Sequence, residues 1–170
     1  MDWVNIIWAG LVATGAMTAV MYLGILEAAS RQVPALLRAR GRGGFSPAAV
    51  TAGTPQVDVV GMMGRVVSQE SRQALAVGLA LHVAMGVAAA VVYGLVWRLA
   101  NTPGTWWTGL GLGLVHGLAV AVALPAATRA LEEWRPGRVG VFLHGGPTTL
   151  WVVIAAHAAF GLVLGLLYNP

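Results

Sequence analysis

Four long stretches of the chain contain no charged residue. They run from Trp3 to Leu26, Gln73 to Trp97, Leu99 to Thr128 and Val139 to Pro170. A helix needs about 20 apolar residues to cross the hydrocarbon core of a bilayer, so each stretch can hold one crossing and none can hold two. The pattern predicts an all-α membrane protein, a bundle of four transmembrane helices in one domain, with spans at 4–26, 74–98, 106–126 and 148–168.

The overall composition agrees with lipid as the solvent for much of this chain. Of its 170 residues, 58% are hydrophobic and 9% are charged, and the mean hydropathy is +0.76. A soluble domain carries roughly 25% charged residues, so water could not solvate this chain as a globule. The chain has no cysteine, which excludes disulfides, thiolate metal sites and cysteine nucleophiles.

The positive charge is unevenly distributed between the predicted loops. Six of the ten arginines lie within 27–73 and three within 127–147, whereas only Arg98 separates the second and third spans. Cytoplasmic loops carry the excess of basic residues in membrane proteins, so we expect both long loops in the cytoplasm and both termini outside. Arginines beside apolar spans do not form the soluble basic face that binds nucleic acid, and the expected partner is the bilayer.

Aromatic residues near the span ends agree with this orientation. Tryptophan and tyrosine are enriched at membrane–water interfaces. Those expected at the outer interface are Trp3, Trp8, Tyr93, Trp97, Trp106, Trp107 and Tyr168.

The first loop, 27–73, is too long for a bare connector. Pro34 is expected to interrupt any continuation of the first helix. Thr54-Pro55 is typical of a helix start, and the mostly apolar residues after it are too few to cross the membrane. The sequence therefore predicts a short helix near 55–67 that lies on the membrane surface or under the bundle.

A weak internal repeat relates the two halves of the chain. Helices two and four share a His-x3-Gly-x6-Tyr pattern, at His82, Gly86 and Tyr93 and again at His157, Gly161 and Tyr168. Helices one and three align from Trp8 onto Trp107, which places Met17 opposite His116. The pattern indicates two helical hairpins related by an axis along the membrane normal, as in transporters with parallel repeats.

Three histidines fall at a similar depth in the predicted spans. His82, His116 and His157 each lie about ten residues into a span, close to the bilayer midplane at about 1.5 Å per residue. Thr14, Met17 and Thr18 of helix one reach the same layer, and His144 lies at the cytoplasmic edge. Ionisable side chains at this depth should face the bundle interior and have partners.

Several roles are open to this layer. Small residues flank each histidine, which favours close helix packing with hydrogen bonds across it. Imidazole can also ligate a metal or the iron of haem b, with Thr14, Met17 and Thr18 as candidates for residues supporting the ligands. A third role is a relay or transport site. We expect at least two imidazoles to converge, without a bound metal.

Several glycine-rich segments together resemble a family of small bacterial and archaeal four-helix membrane proteins whose function is unknown. They are 10–18, 58–64, His116-Gly117 followed by Pro125, and the His157-x3-Gly161-x3-Gly165-x2-Tyr168 pattern. The resemblance implies a four-helix architecture and a bacterial or archaeal cytoplasmic membrane, and it supplies no activity.

The sequence contains no nucleophile–base pairing, phosphate-binding loop or HExxH motif, so no catalytic residue is predicted. These features favour a non-catalytic accessory subunit that packs against other membrane chains or against itself. The alternatives are a haem- or metal-binding redox protein and a small oligomeric transporter or channel.

Overall fold

The computed structural model describes residues 2–41, 59–68, 70–134, 136 and 146–168. Within these ranges every regular element is a helix. The helices are α1 (Trp3–Gly41), α2 (Val59–Val67), α3 (Ser71–Leu99), α4 (Trp106–Trp134) and α5 (Gly146–Leu167). Four of them contain a segment long and apolar enough to cross a membrane: Trp3–Gly24, Arg72–Leu99, Trp106–Trp134 and Leu150–Leu167. The predicted all-α architecture with four candidate spans is confirmed.

Side chains cap two of these helices at their first turns. The Asp2 carboxylate accepts hydrogen bonds from the backbone N–H groups of Val4 and Asn5, at 3.0 and 3.1 Å. At the start of α4, the hydroxyls of Thr105 and Thr108 each accept from the backbone N–H of the other residue. Such caps satisfy amides that have no partner inside the helix, so both helix starts are encoded locally.

Pro34 does not end α1, and the expectation of an interruption there was wrong. The helix continues through Pro34 to Gly41. A proline removes one backbone hydrogen bond, and the residues after it, Ala35-Leu36-Leu37-Arg38-Ala39-Arg40, are strong helix formers. Pro125 is likewise inside α4. The 39 residues of α1 extend about 58 Å at 1.5 Å per residue, so α1 is longer than a bilayer crossing.

The four long helices form a ring in chain order. α1 packs against both α3 and α5, and α4 packs against α5 over the most extensive interface. α3 and α4 approach each other far less closely along their backbones, although only residues 100–105 connect them. The bundle therefore consists of two hairpins, α1/α3 and α4/α5. They are joined by an α1/α5 interface that is more extensive than the one between α1 and α3, and they leave a wider seam between α3 and α4.

Glycines set the close approach of α4 to α5. A Cβ atom placed on Gly161 would overlap the carbonyl oxygen of Gly109, and one placed on Gly109 would overlap that of Gly161. One turn along, a Cβ on Gly113 would overlap the carbonyl oxygen of His157. Only residues without a side chain let the two backbones approach this closely.

Equivalent positions of the repeat make equivalent contacts in the first hairpin. A Cβ on Gly10 would lie 2.7 Å from the Cβ of Ala90, and one on Gly86 would overlap the Thr14 hydroxyl. The repeat alignment pairs these positions with Gly109, Gly165, Gly161 and Gly113 of the second hairpin, which contact one another in the same order. The repeat seen in the sequence thus extends to the helix contacts.

α2 packs beside the first turns of α3. A Cβ on Gly64 would overlap the Ala74 carbonyl, and one on Gly78 would overlap the Val60 carbonyl. Met62 of α2 is buried in the same hydrophobic cluster as residues of the bundle core. The expected N-cap at Thr54-Pro55 lies outside the described residues.

Three of the aromatic residues expected near the outer interface face the interior of the bundle. Tyr93, Trp97 and Tyr168 are buried, at 5%, 2% and 4% exposure. Residues at the end of a span can face inward as well as outward, and the depth of these three in the membrane stays a prediction. Trp3, Trp8, Trp106 and Trp107 are exposed.

Candidate functional site

His82 is held by α1. Its Nε2 lies 3.0 Å from the Thr18 hydroxyl oxygen, and that hydroxyl also donates to the Thr14 carbonyl oxygen at 2.8 Å. A hydroxyl has one hydrogen to donate, so Thr18 accepts from Nε2–H of His82 in the tautomer in which it donates to Thr14, and in the other tautomer it donates to Nε2.

His157 is fixed by its own helix. Its Nδ1 lies 2.8 Å from the carbonyl oxygen of Val153, one turn earlier in α5. A carbonyl can only accept a hydrogen bond, so Nδ1 carries the hydrogen of the neutral ring. The Nε2 atom of His157 therefore carries a lone pair. Within the described residues, no side chain donates a hydrogen bond to this atom.

His116 connects α4 to both neighbouring helices. Its Nδ1 lies 3.2 Å from the Tyr93 hydroxyl of α3, and its ring contacts the His157 ring edge-to-face, with centroids 4.7 Å apart and planes at 70°. Tyr93 also packs edge-on against Phe160 of α5. These side chains span the wide seam between α3 and α4, where the two backbones do not meet.

The structure brings together two of the three predicted histidines. His116 and His157 are in ring contact, whereas His82 bonds to Thr18 and lies within electrostatic reach of His157. We name these three residues the histidine layer. His144 lies outside the described residues.

The three residues of α1 predicted to support this layer have different surroundings. The Thr14 hydroxyl donates to the Gly10 carbonyl oxygen at 2.7 Å, so it serves the backbone of α1. Thr18 holds His82. Met17 is buried in the hydrophobic core beside them. Of the three candidates, only Thr18 bonds directly to a histidine.

The arrangement of the rings does not fit a haem between His116 and His157. Two imidazoles on opposite sides of one metal, each nitrogen about 2.0–2.1 Å away, would have ring centroids roughly 6 Å apart. The observed 4.7 Å and the edge-to-face angle leave no room for a flat macrocycle. Within the described ranges no group of three or more His, Cys, Asp or Glu side chains is placed to hold a metal.

Sequence reasoning missed two members of the site. Tyr93 and Trp97 are one turn apart on α3, and their rings meet edge-on at 6.2 Å. Trp97 stacks on Tyr168 with centroids 5.5 Å apart, and its buried Nε1–H has no partner within the described residues. The four-residue spacing of Tyr93 and Trp97 could have indicated their contact, because it places both side chains on the same helix face.

The histidine layer has different surroundings in its two directions along the bundle. Toward the 100–105 loop, the interior contains the Tyr93 hydroxyl and then the Trp97 indole. Toward α2, the core is mostly apolar, with side chains such as Met21, Met62 and Val66, and its buried Thr128 hydroxyl donates to the Pro125 carbonyl of its own helix. The side chains bonded to the layer therefore extend from His116 to Tyr93, toward the loop end of the bundle.

Comparison with known proteins gives no relative: no protein-family model, no curated protein and no solved structure matches this chain. The resemblance to a small four-helix family therefore stays a prediction.

Proposed function

We propose that this protein is a small membrane transporter or relay in which the histidine layer is the polar site. The observation that carries the proposal is the position of the layer. It lies where two glycine-packed hairpins meet, with His82 on one hairpin and His116 and His157 on the other. In transporters built from structural repeats, the binding site lies near the midplane at the interface between the repeats.

The packing of the bundle supports relative movement of the hairpins. In the α4/α5 hairpin, added Cβ atoms would overlap the facing backbone, and in the α1/α3 hairpin they would overlap side-chain atoms of Ala90 and Thr14. α1 and α5 hold the two hairpins together, whereas between α3 and α4 the contact is made by side chains such as Tyr93 and His116. Side-chain contacts can exchange partners at a lower cost than interlocked backbones, so opening of the α3/α4 seam, with the α1/α5 contact retained, is the expected route of access.

The test measures whether charged reagents reach the layer. The chain contains no cysteine, so each introduced cysteine is the only thiol. Met17→Cys places the thiol beside Thr18 in the buried core, and Met85→Cys places a control at a similar depth on an exposed face. We expect a thiosulfonate with a fixed positive charge to label Met17→Cys from both sides of oriented vesicles, and to leave Met85→Cys unlabelled.

Labelling from neither side would overturn the transport proposal and favour a packing role. Labelling of both positions at equal rates would mean that the reagent enters through lipid. Denatured samples of both variants, labelled in parallel, give the maximum for each thiol.

The accessory-subunit hypothesis was motivated by a surplus of small-residue helix faces. Most helix glycines face another helix of the same bundle, whereas a Cβ added at Gly15 or Gly111 would have no atom of another described helix within 4 Å, and both residues are exposed. These two glycines are the small-residue positions that the bundle itself does not use for packing, and they are where a partner chain could pack closely. Size analysis in mild detergent tests it, because a monomer that retains no other chain would count against it.

The membrane and the orientation are part of the same proposal. The resemblance supports a bacterial or archaeal cytoplasmic membrane, and the arginine distribution supports termini outside, with 27–73 and 127–147 in the cytoplasm. In this orientation the polar side of the layer faces outward and α2 lies on the cytoplasmic side.

A further inference from the structure

We infer that the histidine layer binds a single proton, at Nε2 of His157, and that the proton arrives from the 100–105 end of the bundle by way of Tyr93 and His116. The inference rests on the proposed function and names its substrate class. It depends on the hydrogen-bond pattern that fixes each ring and on the absence of compensating charge in the layer.

The hydrogen bonds leave acceptors in the layer. His157 donates from Nδ1 to the Val153 carbonyl and keeps its lone pair at Nε2. His82 is bonded through Nε2 to Thr18, and its neutral ring also carries one lone pair. A layer whose fixed rings present lone pairs accepts a hydrogen-bond donor, and it is unsuited to an anion.

His157 is the better placed of the two bases. Its Nε2 lies on a ring that contacts His116, and His116 bonds to Tyr93 on the polar side of the layer. His82 is 5% exposed and is bonded to α1. The chain Tyr93–His116–His157 thus extends the polar groups of the layer toward the loop end of the bundle, as far as the buried Tyr93 hydroxyl.

The groups that face His157 limit the site to one proton. From α4 the facing group is His116, which also bonds to Tyr93, from α3 it is His82, and α1 contributes the uncharged Met17 and Thr18 to the layer. The four candidate spans contain no acidic side chain between their end regions. A second proton on His116 would place two positive rings 4.7 Å apart without a counter-charge.

The proton balance is simple. A hydrated proton gives one hydrogen to the Tyr93 hydroxyl oxygen as Tyr93 passes its own hydrogen to Nδ1 of His116, and His116 then passes the hydrogen at its Nε2 to Nε2 of His157. His157 becomes an imidazolium that still donates from Nδ1 to Val153. Tyr93 is again a neutral phenol, and His116 is a neutral imidazole with its hydrogen at Nδ1, so its ring must turn over before the next transfer. No oxidant or other co-reactant is needed.

The experiment is nitrogen-15 solid-state NMR of histidine-labelled protein in phospholipid bilayers across a pH series, with His157→Gln to assign the signal. We expect His157 to be protonated at Nδ1 in its neutral form and to gain its second proton at Nε2. Tyr93→Phe should slow proton entry into vesicles at least tenfold and leave the neutral His157 signal unchanged, whereas Thr18→Val should shift only the His82 signal.

A His157 that carries its hydrogen at Nε2, or that stays neutral until the bundle unfolds, would overturn the inference. Unchanged proton entry in Tyr93→Phe would overturn the route. Labelling of Met17→Cys is independent of these results. If the thiol is labelled but His157 does not bind a proton, only this inference is contradicted. If His157 binds a proton but the reagent does not reach the thiol, the transport proposal is contradicted.

Discussion

The most informative single substitution for the packing of the bundle is Gly161→Ala. Gly161 faces Gly109 across the α4/α5 interface, and a Cβ added at either residue would overlap the carbonyl oxygen of the other. A flexible side chain could move away, but a backbone carbonyl moves only with its helix. The substitution should therefore separate α4 from α5 over this turn.

The size of the effect follows from two opposing terms. Overpacking a well-packed interior costs about 1–3 kcal/mol, and a contact with backbone belongs at the upper end of this range. Replacing glycine by alanine inside a helix returns about 1 kcal/mol. We expect a net loss of about 2 kcal/mol, which changes the folded-to-unfolded ratio roughly 30-fold.

Reversible unfolding in mixed micelles can measure this loss, with Gly111→Ala as the matched control. Gly111 is on the same helix as Gly109, and nothing lies within 4 Å of its added Cβ, so this variant should be unchanged or slightly more stable. The double variant Gly109→Ala/Gly161→Ala should lose less than the sum of the single losses, because the first substitution already separates the helices. Equal stability of Gly161→Ala and Gly111→Ala would refute the described interface.

Three further predictions concern other parts of the molecule. Thr18→Val should lower the free energy of unfolding by about 1 kcal/mol in the same assay. Hydrogen bonds between membrane helices average about 0.6 kcal/mol, and this substitution also leaves a buried imidazole nitrogen without its partner. Thr18→Ser should restore most of the lost stability. Gly78→Leu should displace α2 and increase its cleavage by protease, whereas Ala76→Leu, at an exposed position, should not. A topology reporter after Arg42 should behave as cytoplasmic and one after Pro170 as external, and the opposite result would reverse the proposed orientation.

The candidate spans could be predicted because each depends on a sum over many residues. A run of about 20 residues without charge has few alternatives to crossing the membrane, whatever its detailed packing. The ends of the helices depend on local propensity instead. α1 therefore passes Pro34 on the strength of the helix formers that follow it, and α4 continues to Trp134, eight residues beyond the predicted span.

The candidate site was only partly predictable for a different reason. Counting residues along each span placed three histidines at one depth, but depth does not specify which way each side chain points. The bond between Tyr93 and His116 depends on how far α3 and α4 rotate and separate, which no local pattern encodes. The same is true of Thr14, whose hydroxyl turns back to its own helix.

Proton flux into reconstituted vesicles measures transfer through the histidine layer itself. Vesicles containing the protein and an internal pH-sensitive dye are given a potassium diffusion potential, and the initial rate of pH change is compared with that of empty vesicles. The account predicts a flux above the empty vesicles that falls at least tenfold in His157→Gln and is unchanged in Gly111→Ala. A flux equal to that of empty vesicles, or one that His157→Gln leaves intact, would contradict it.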